Sequence, residues 1–200
     1  MQQIEGRVYT KETLREEDWS DGAFFNCRFE GCFFRGANLS GIYTKSCRFI
    51  GCDFSFAYLN ESIHEYTAFE NCDFSAASLF GAQLRQCKCV GSVFTGANIT
   101  GLVLQGGNYS YAVLTDCDLR KMDLHSACFA HANMQNCNLQ KANLQECDLS
   151  HALLQGADLS KADLRGARLE GVDVARLKFN QTKIELEQAA TIAEMLGCVF

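Results

Sequence analysis

The chain has 200 residues, with 18 Lys and Arg against 24 Asp and Glu and a formal charge of −6. That balance argues against a nucleic-acid-binding surface. No apolar run reaches the roughly 18 residues a membrane-spanning helix needs.

MQQIEGRVYTKETL carries no apolar stretch of the kind found in secretory leaders, so a cytoplasmic location is expected. Residues 1–13 read as an N-terminal cap or lead-in strand. Glu16, Glu17, Asp18 and Trp19 give the next segment a charged lip, with Trp19 placed to plug an open end.

From Leu14 to Ile184 one feature dominates: a large side chain returns every fifth residue. Among these 35 positions only Thr44, His64 and Cys89 are neither aliphatic, aromatic nor Met. A period of five is neither the 3.6 of a helix nor the 2 of a strand, so it marks a repeat. Two places before the large residue stands a small one in most copies. Nine of the 12 cysteines occupy that small site: Cys27, Cys32, Cys47, Cys52, Cys72, Cys87, Cys117, Cys137 and Cys147. Asn or Asp lies between the two in many copies, and Gly often follows two places after, as at Gly31, Gly36, Gly41, Gly51, Gly81 and Gly91.

Such a period is met by a chain that turns about 90° every five residues, so that four repeats close one coil and residue n lies beneath n+20. The resulting columns put like on like: Phe34, Phe54, Phe74, Phe94, Leu114, Met134 and Leu154 form one, and Leu39, Leu59, Leu79, Ile99, Leu119, Leu139 and Leu159 another. The large residues fill the axis and the small ones tuck in beside them, where a bulkier group would overfill the interior. The intervening Asn or Asp points outward. Cysteines at the inward site read as packing thiols. Cys32, Cys52 and Cys72 share a column in which oxidation is sterically conceivable. With no CxxC pair, no zinc site is expected.

Two segments depart from the pattern. Between 42 and 68, Ile42 and Ser62 stand at the small site, and Thr44 and His64 at the large one. Glu61, His64, Glu65 and Tyr66 could be drawn as an acid/base cluster, but the reading adopted is a distorted or bulged face with His64 satisfied by a neighbour. Between 87 and 113, Cys87, Cys89, Leu102 and Gly107 are off consensus, while the register stays in phase. His131 and His151 fall one coil apart on an outward column and read as solvated side chains rather than a metal pair.

After Ile184 the period ends. ELEQAATIAEMLG reads as a helix with Leu186, Ala189, Ala190, Ala193 and Leu196 on one face and Ile192 and Met195 adjoining. Gly197 caps it, and Cys198, Val199 and Phe200 form an apolar tip. This segment is either a lid on the last coil or a contact between two rods.

ANLQE, ADLSK and ADLRG resemble the A(D/N)LXX motif of the pentapeptide-repeat family over about 14–184. The resemblance implies an all-β fold, a right-handed quadrilateral β-helix, here with a short C-terminal α-helix. The domain reading is a cap at 1–13, the β-helix at 14–184, and a helix and apolar tail for dimerisation at 185–200. The tail EQAATIAEMLGCVF resembles that of quinolone-resistance (Qnr-type) and mycobacterial gyrase-protecting members. That resemblance implies a homodimer through Leu186, Ala189, Ala190, Ile192, Ala193, Met195, Leu196, Val199 and Phe200. It also implies a DNA-shaped rod that binds DNA gyrase or topoisomerase IV and relieves drug poisoning. Qnr-type members often carry loops between coils; this register has none and looks more like the mycobacterial type.

The carboxylates expected to meet such a partner are Asp53 with Asp73, Asp118 with Asp158, Asp123 with Asp163, and Glu61, Glu65 and Glu70. Basic residues recur too, with Arg28, Arg48, Lys88 and Arg168 on one column and Lys121, Lys141 and Lys161 on a corner. No phosphate loop, catalytic triad or metal spacing is present, so no catalytic residue, cofactor or metal is expected. The alternative is a scaffold rod with an unrelated protein partner.

Overall fold

The computed structural model describes residues 3–15 and 18–199. They form a four-sided parallel β-solenoid closed at its C-terminal end by one short helix. Every pairing is parallel and joins residue n to n+20, as in Gln3↔Ala23, Thr44↔His64 and Asp163↔Lys183. The first side runs through residues 23, 43, 63, 83 and 103, the second through 28, 48 and 68, the third through 33, 53 and 73, and the fourth through 38, 58 and 78. A coil is therefore 20 residues, with no insertion anywhere in the paired chain.

The stacking starts upstream of Leu14. Gln3–Glu5 pairs with Ala23–Phe25 and Val8–Thr10 with Arg28–Glu30. Ile4 and Tyr9 thus take two inward sites of the first coil, and 3–10 is part of the solenoid rather than a separate lead-in. Trp19 is buried in that same coil, edge-on to Tyr9 at 6.5 Å and tilted on Phe24 at 5.1 Å. Glu16 and Glu17 of the predicted lip lie outside the described residues.

The axis is filled as the columns require. Phe34, Phe54, Phe74 and Phe94 stack in parallel with centroids 4.7, 4.9 and 5.1 Å apart. Tyr9, Phe29, Phe49 and Phe69 form a second stack at 4.6, 4.6 and 4.9 Å. The two stacks meet edge to face, as Phe29 meets Phe34 at 5.6 Å, which suits aromatic quadrupoles. Above Phe94 the filling is mainly aliphatic, with Leu119, Leu124, Leu139, Leu144 and Leu149 fully buried beside one further aromatic pair, Tyr109 and Phe129.

Corners come in two kinds. Most are β-turns in which the small residue's N–H donates to the preceding large residue's carbonyl, as from Ala37 to Phe34 at 2.8 Å. On the first and second sides of the lower coils, three-residue strands meet at corners without that bond. Both kinds place a residue at positive φ two places after the large one, including Phe56 at 59° and Tyr66 at 51°. Glycine is thus favoured at the corner but not required.

The last coil loses the pattern. Val174–Arg176 is a 3₁₀ turn, and Phe179, on register for the axis, is exposed because no coil covers it. Helix α1 (Leu186–Met195) lies across this end. Among the described residues no helix is long and apolar enough to cross a membrane.

Candidate functional site

The predicted carboxylates all sit on the outside but do not share one face. Asp53 and Asp73 are neighbours on the third side. Asp118 and Asp158 lie on the fourth side with Asn138 between them, and Asp123 and Asp163 on the first side with Asn143 between them. The fourth and first sides adjoin, so these last two rows make one acidic strip on the upper rod. Glu65 is on the first side lower down, Glu70 on the second, and Glu61 at an exposed corner.

Most of these groups are already engaged. Arg120 grips Asp118 through its Nε at 2.7 Å, and Arg165 grips Asp163 at 2.9 Å. Arg48 donates to Glu70 at 3.2 Å. Glu65 accepts from Tyr43 at 2.9 Å and Arg85 at 2.9 Å, and these bonds hold its carboxyl below the usual range. Asp158 accepts from Ser160 N–H and from Gln140 at 2.8 Å, and is lowered to about 2 by the Ser160 and Gln140 bonds. Asp53 accepts from the Ser55 hydroxyl and amide, Asp73 from the Ser75 amide, and Asp123 from Asn143. Such pairs need no insertion, because same-side partners lie two residues along or one coil away.

The segment 42–68 does not bulge. Tyr43–Lys45 and Ile63–Glu65 pair in register, so His64 points into the axis while Glu65 points out, and no acid/base cluster forms. Ser62 gives its proton to the Leu59 carbonyl at 2.7 Å. It therefore accepts from His64 Nε2 at 3.0 Å, which leaves Nδ1 to accept from Thr44 at 2.7 Å. Complete burial pushes the imidazole down to about 3 and keeps it neutral. Outside, Tyr111, His131 and His151 stack face to face at 4.8 and 4.9 Å, a geometry that separates the imidazole nitrogens. Among the described residues no three His, Cys, Asp or Glu side chains converge as a metal site would.

The inward cysteines do more than fill space. Thiols of Cys47, Cys72 and Cys87 donate to the carbonyls of Phe24, Phe49 and His64 at 3.3–3.4 Å, and Cys137 and Cys147 to Leu114 and Leu124 at 2.9 Å. Each acceptor lies 23 residues back, on the coil beneath. Burial pushes Cys87, Cys137 and Cys147 up to about 12, so they stay protonated donors. Cys32, Cys52 and Cys72 are free thiols.

At the C-terminal end, Ile192 packs on the core, with Gln188, Ala189 and Ala193 half-buried on the same flank of the helix. Gln188, absent from the apolar face expected here, is the anchor. Its Nε2 donates to the carbonyls of Leu164 at 2.7 Å and Ala167 at 2.8 Å, and its Oε1 accepts from Glu185 N–H. Ala190 and Met195 face outward with Leu186, Leu196 and Val199, which are 88%, 54% and 94% exposed. Phe200 lies outside the described residues.

The ladder between the coil 95–106 and the coil 115–126 is open on the fourth and first sides. Coil spacing elsewhere implies donation from Gly96, Ile99, Gly101, Leu104 and Gly106 upward, and from Asp118 and Asp123 downward; none of these bonds forms. The flanking second and third sides remain closed, through Val113 N–H to Ser92 at 2.9 Å and Cys128 N–H to Gly107 at 3.0 Å. The gap is a cleft of about 890 Å³ lined by Thr95–Leu102, Thr115–Asp118 and Arg120–Met122.

Its cause is a column of small sites. From below, that column reads Gly22, Ile42, Ser62, Ala82, Leu102, Met122, Ala142 and Ala162. Ile42 is tolerated between Gly22 and Ser62, and the ladder there is intact. Leu102 directly beneath Met122 overfills a site meant for two methyls and levers the coils apart. The two large residues in succession are the signal that would have revealed it.

A four-sided parallel solenoid with a filled axis, built from five-residue units, defines the class of this protein. The chain matches the family model for pentapeptide repeats over residues 52–87, 77–108, 110–140 and 132–171, and it belongs to that family. No curated protein matches its sequence. Among solved structures it is similar to a trypsin-treated variant of QnrB1, a plasmid-mediated fluoroquinolone resistance protein, at 24% identity over 99% of each chain with a TM-score of 0.88. Full-length QnrB1 gives 24% identity over 98% of this chain and 100% of that one, with a TM-score of 0.66. HetL, from the cyanobacterium Nostoc sp. strain PCC 7120 and involved in heterocyst differentiation regulation, gives 25% identity over 92% and 84% of the two chains, with a TM-score of 0.65.

Proposed function

We propose that this protein is a cytoplasmic, homodimeric mimic of duplex DNA that binds DNA gyrase or topoisomerase IV and protects it from quinolone-like poisons. The observation that carries the reading is the end-to-end likeness to a fluoroquinolone resistance protein, spanning 99% of each chain. Shape supports it: nearly nine coils at ~4.8 Å make a stiff rod of roughly 40 Å, and two joined end to end reach about 80 Å, the length of roughly 24 base pairs. The rows Asp118–Asp158 and Asp123–Asp163 on adjoining sides suit a cationic groove. The exposed Leu186, Leu196 and Val199 offer the apolar contact for the second rod.

Supercoiling by purified gyrase in the presence of a fluoroquinolone tests the reading. Rescue by the protein is expected; absence of both rescue and gyrase binding ends it. Leu196→Asp is expected to halve the mass measured by light scattering, and an unchanged mass contradicts the dimer. A scaffold rod with another protein partner is the second reading. It is favoured by the arginines that neutralise Asp118, Asp163 and Glu70 within the rod itself.

A further inference from the structure

The cleft between the coils 95–106 and 115–126 is built like the edge of a sheet on both walls. The lower lip turns up the N–H groups of Gly96, Ile99, Gly101, Leu104 and Gly106 and the carbonyls of Ala97 and Leu102. The upper lip turns down the carbonyls at positions 115, 118, 120, 123 and 125 and the N–H groups of Asp118 and Asp123. Each lip is held rigid by its own outer neighbour. Val103 N–H donates to Ala82 at 2.9 Å below, and Leu119 and Leu124 N–H donate to Asn138 and Asn143 at 2.9 Å above. The closed second and third sides keep the two lips in register. Between them lie Ile99, Leu102, Cys117 and Met122, an apolar floor at the mouth of the core.

We propose that this cleft is a binding slot for an extended segment of a partner protein, which enters as an extra half-coil and completes the ladder on both lips. The complementary groups are main-chain ones. An inserted segment running with the coil accepts from the lower N–H groups and donates to the upper carbonyls, the bonding that lets a peptide extend a sheet edge. Small or apolar side chains at alternate positions meet the floor. The C-terminal helix is engaged elsewhere: Gln188 and Ile192 hold it on the last coil, about three coils above, roughly 14 Å away. The slot stands apart from the topoisomerase reading, since it rests on the open ladder and names no particular partner.

The probe is a synthetic decapeptide copying residues 157–166, ADLSKADLRG, which occupies the fourth and first sides in its own coil. Residue-resolved amide exchange by NMR is the readout. In the free protein, Ile99, Gly101, Leu104, Asp118 and Asp123 are expected to exchange faster than Asn138, Leu139 and Asn143. The peptide is expected to slow them by about tenfold or more. A peptide N-methylated at its Asp and Leu amides is expected to give no protection. The double variant Leu102→Ala with Met122→Ala, which restores the alanines found above and below, is expected to close the ladder and abolish the response. Slow exchange at these amides in the free protein overturns the proposal. So do open amides that the peptide leaves unprotected, equal protection by the N-methylated peptide, or an unchanged response in the double variant.

Discussion

The Thr44 hydroxyl and His64 Nδ1 lie 2.7 Å apart in successive coils, inside an axis otherwise filled by apolar side chains. With Ser62 receiving the Nε2 proton, both ring nitrogens are satisfied only when the imidazole is neutral. The folded chain holds His64 near 3, against 6.5 for an ordinary imidazole. Between these values the unfolded chain takes up a proton that the folded chain refuses. Stability therefore falls as pH drops below 6.5, by about 1.36 kcal/mol per unit, or about 3 kcal/mol by pH 4.5. His64→Leu removes this term. At pH 7 the variant is expected to lose about 1–3 kcal/mol, because Ser62 and Thr44 lose a partner. Urea titrations from pH 7 to 4.5 should show the two proteins converging; parallel curves contradict the assignment.

Gly107 sits at φ +96°, where an added Cβ would lie 2.5 Å from the Cys87 carbonyl oxygen and 3.4 Å from the Tyr109 ring. It pins the closed side of the cleft. Gly107→Ala is expected to cost about 2 kcal/mol or more through backbone strain and the clash. Gly36→Ala, at φ +71° with nothing within 4 Å, should cost only about 1 kcal/mol. Equal losses in chemical denaturation would refute the close approach.

Tyr109 is buried with its hydroxyl unpartnered among the described residues. It stands above Cys89, the short residue of its column, and stacks on Phe129 at 5.3 Å. Tyr109→Phe keeps the ring and removes the orphaned group, so a gain of about 1–2 kcal/mol in unfolding free energy is expected. A loss in the same measurement would mean the hydroxyl has a partner.

Gln188 is the polar tether of helix α1 to the carbonyls of Leu164 and Ala167. Gln188→Leu should loosen the helix while leaving the solenoid intact. Amide exchange across Ala189–Met195 is expected to quicken by about tenfold, with the melting temperature of the coils nearly unchanged. Unaltered exchange in the helix would show that Ile192 alone holds it.

Much of this was legible from residue order. The positions of Phe34, Phe54, Phe74 and Phe94 announced their own stack, because a chain that turns every five residues puts n beneath n+20 without help from distant segments. The inward cysteines were legible as packing groups, though not as donors, since the carbonyl they meet 23 residues back is a matter of coil spacing. His64 stands at the large site in the sequence, where a polar side chain reads as part of a distorted face; its in-register strand and internal partners emerge only with Thr44 and Ser62 around it. The start of the solenoid is not legible in the sequence, because Ile4 and Tyr9 lack the small residue and Asn or Asp that mark the later repeats.

Residue order alone determined the coil, its inward and outward faces and the break of the period after Ile184, for these depend on nearest neighbours in a regular stack. The tertiary structure decided which carboxylates are neutralised by an arginine, how Gln188 fastens the helix, and where the ladder opens. Those outcomes turn on side-chain volume and hydrogen-bond reach across coils. Leu102 is off pattern in the chain and Met122 is a second large residue at the small site, and only their superposition forces a cleft.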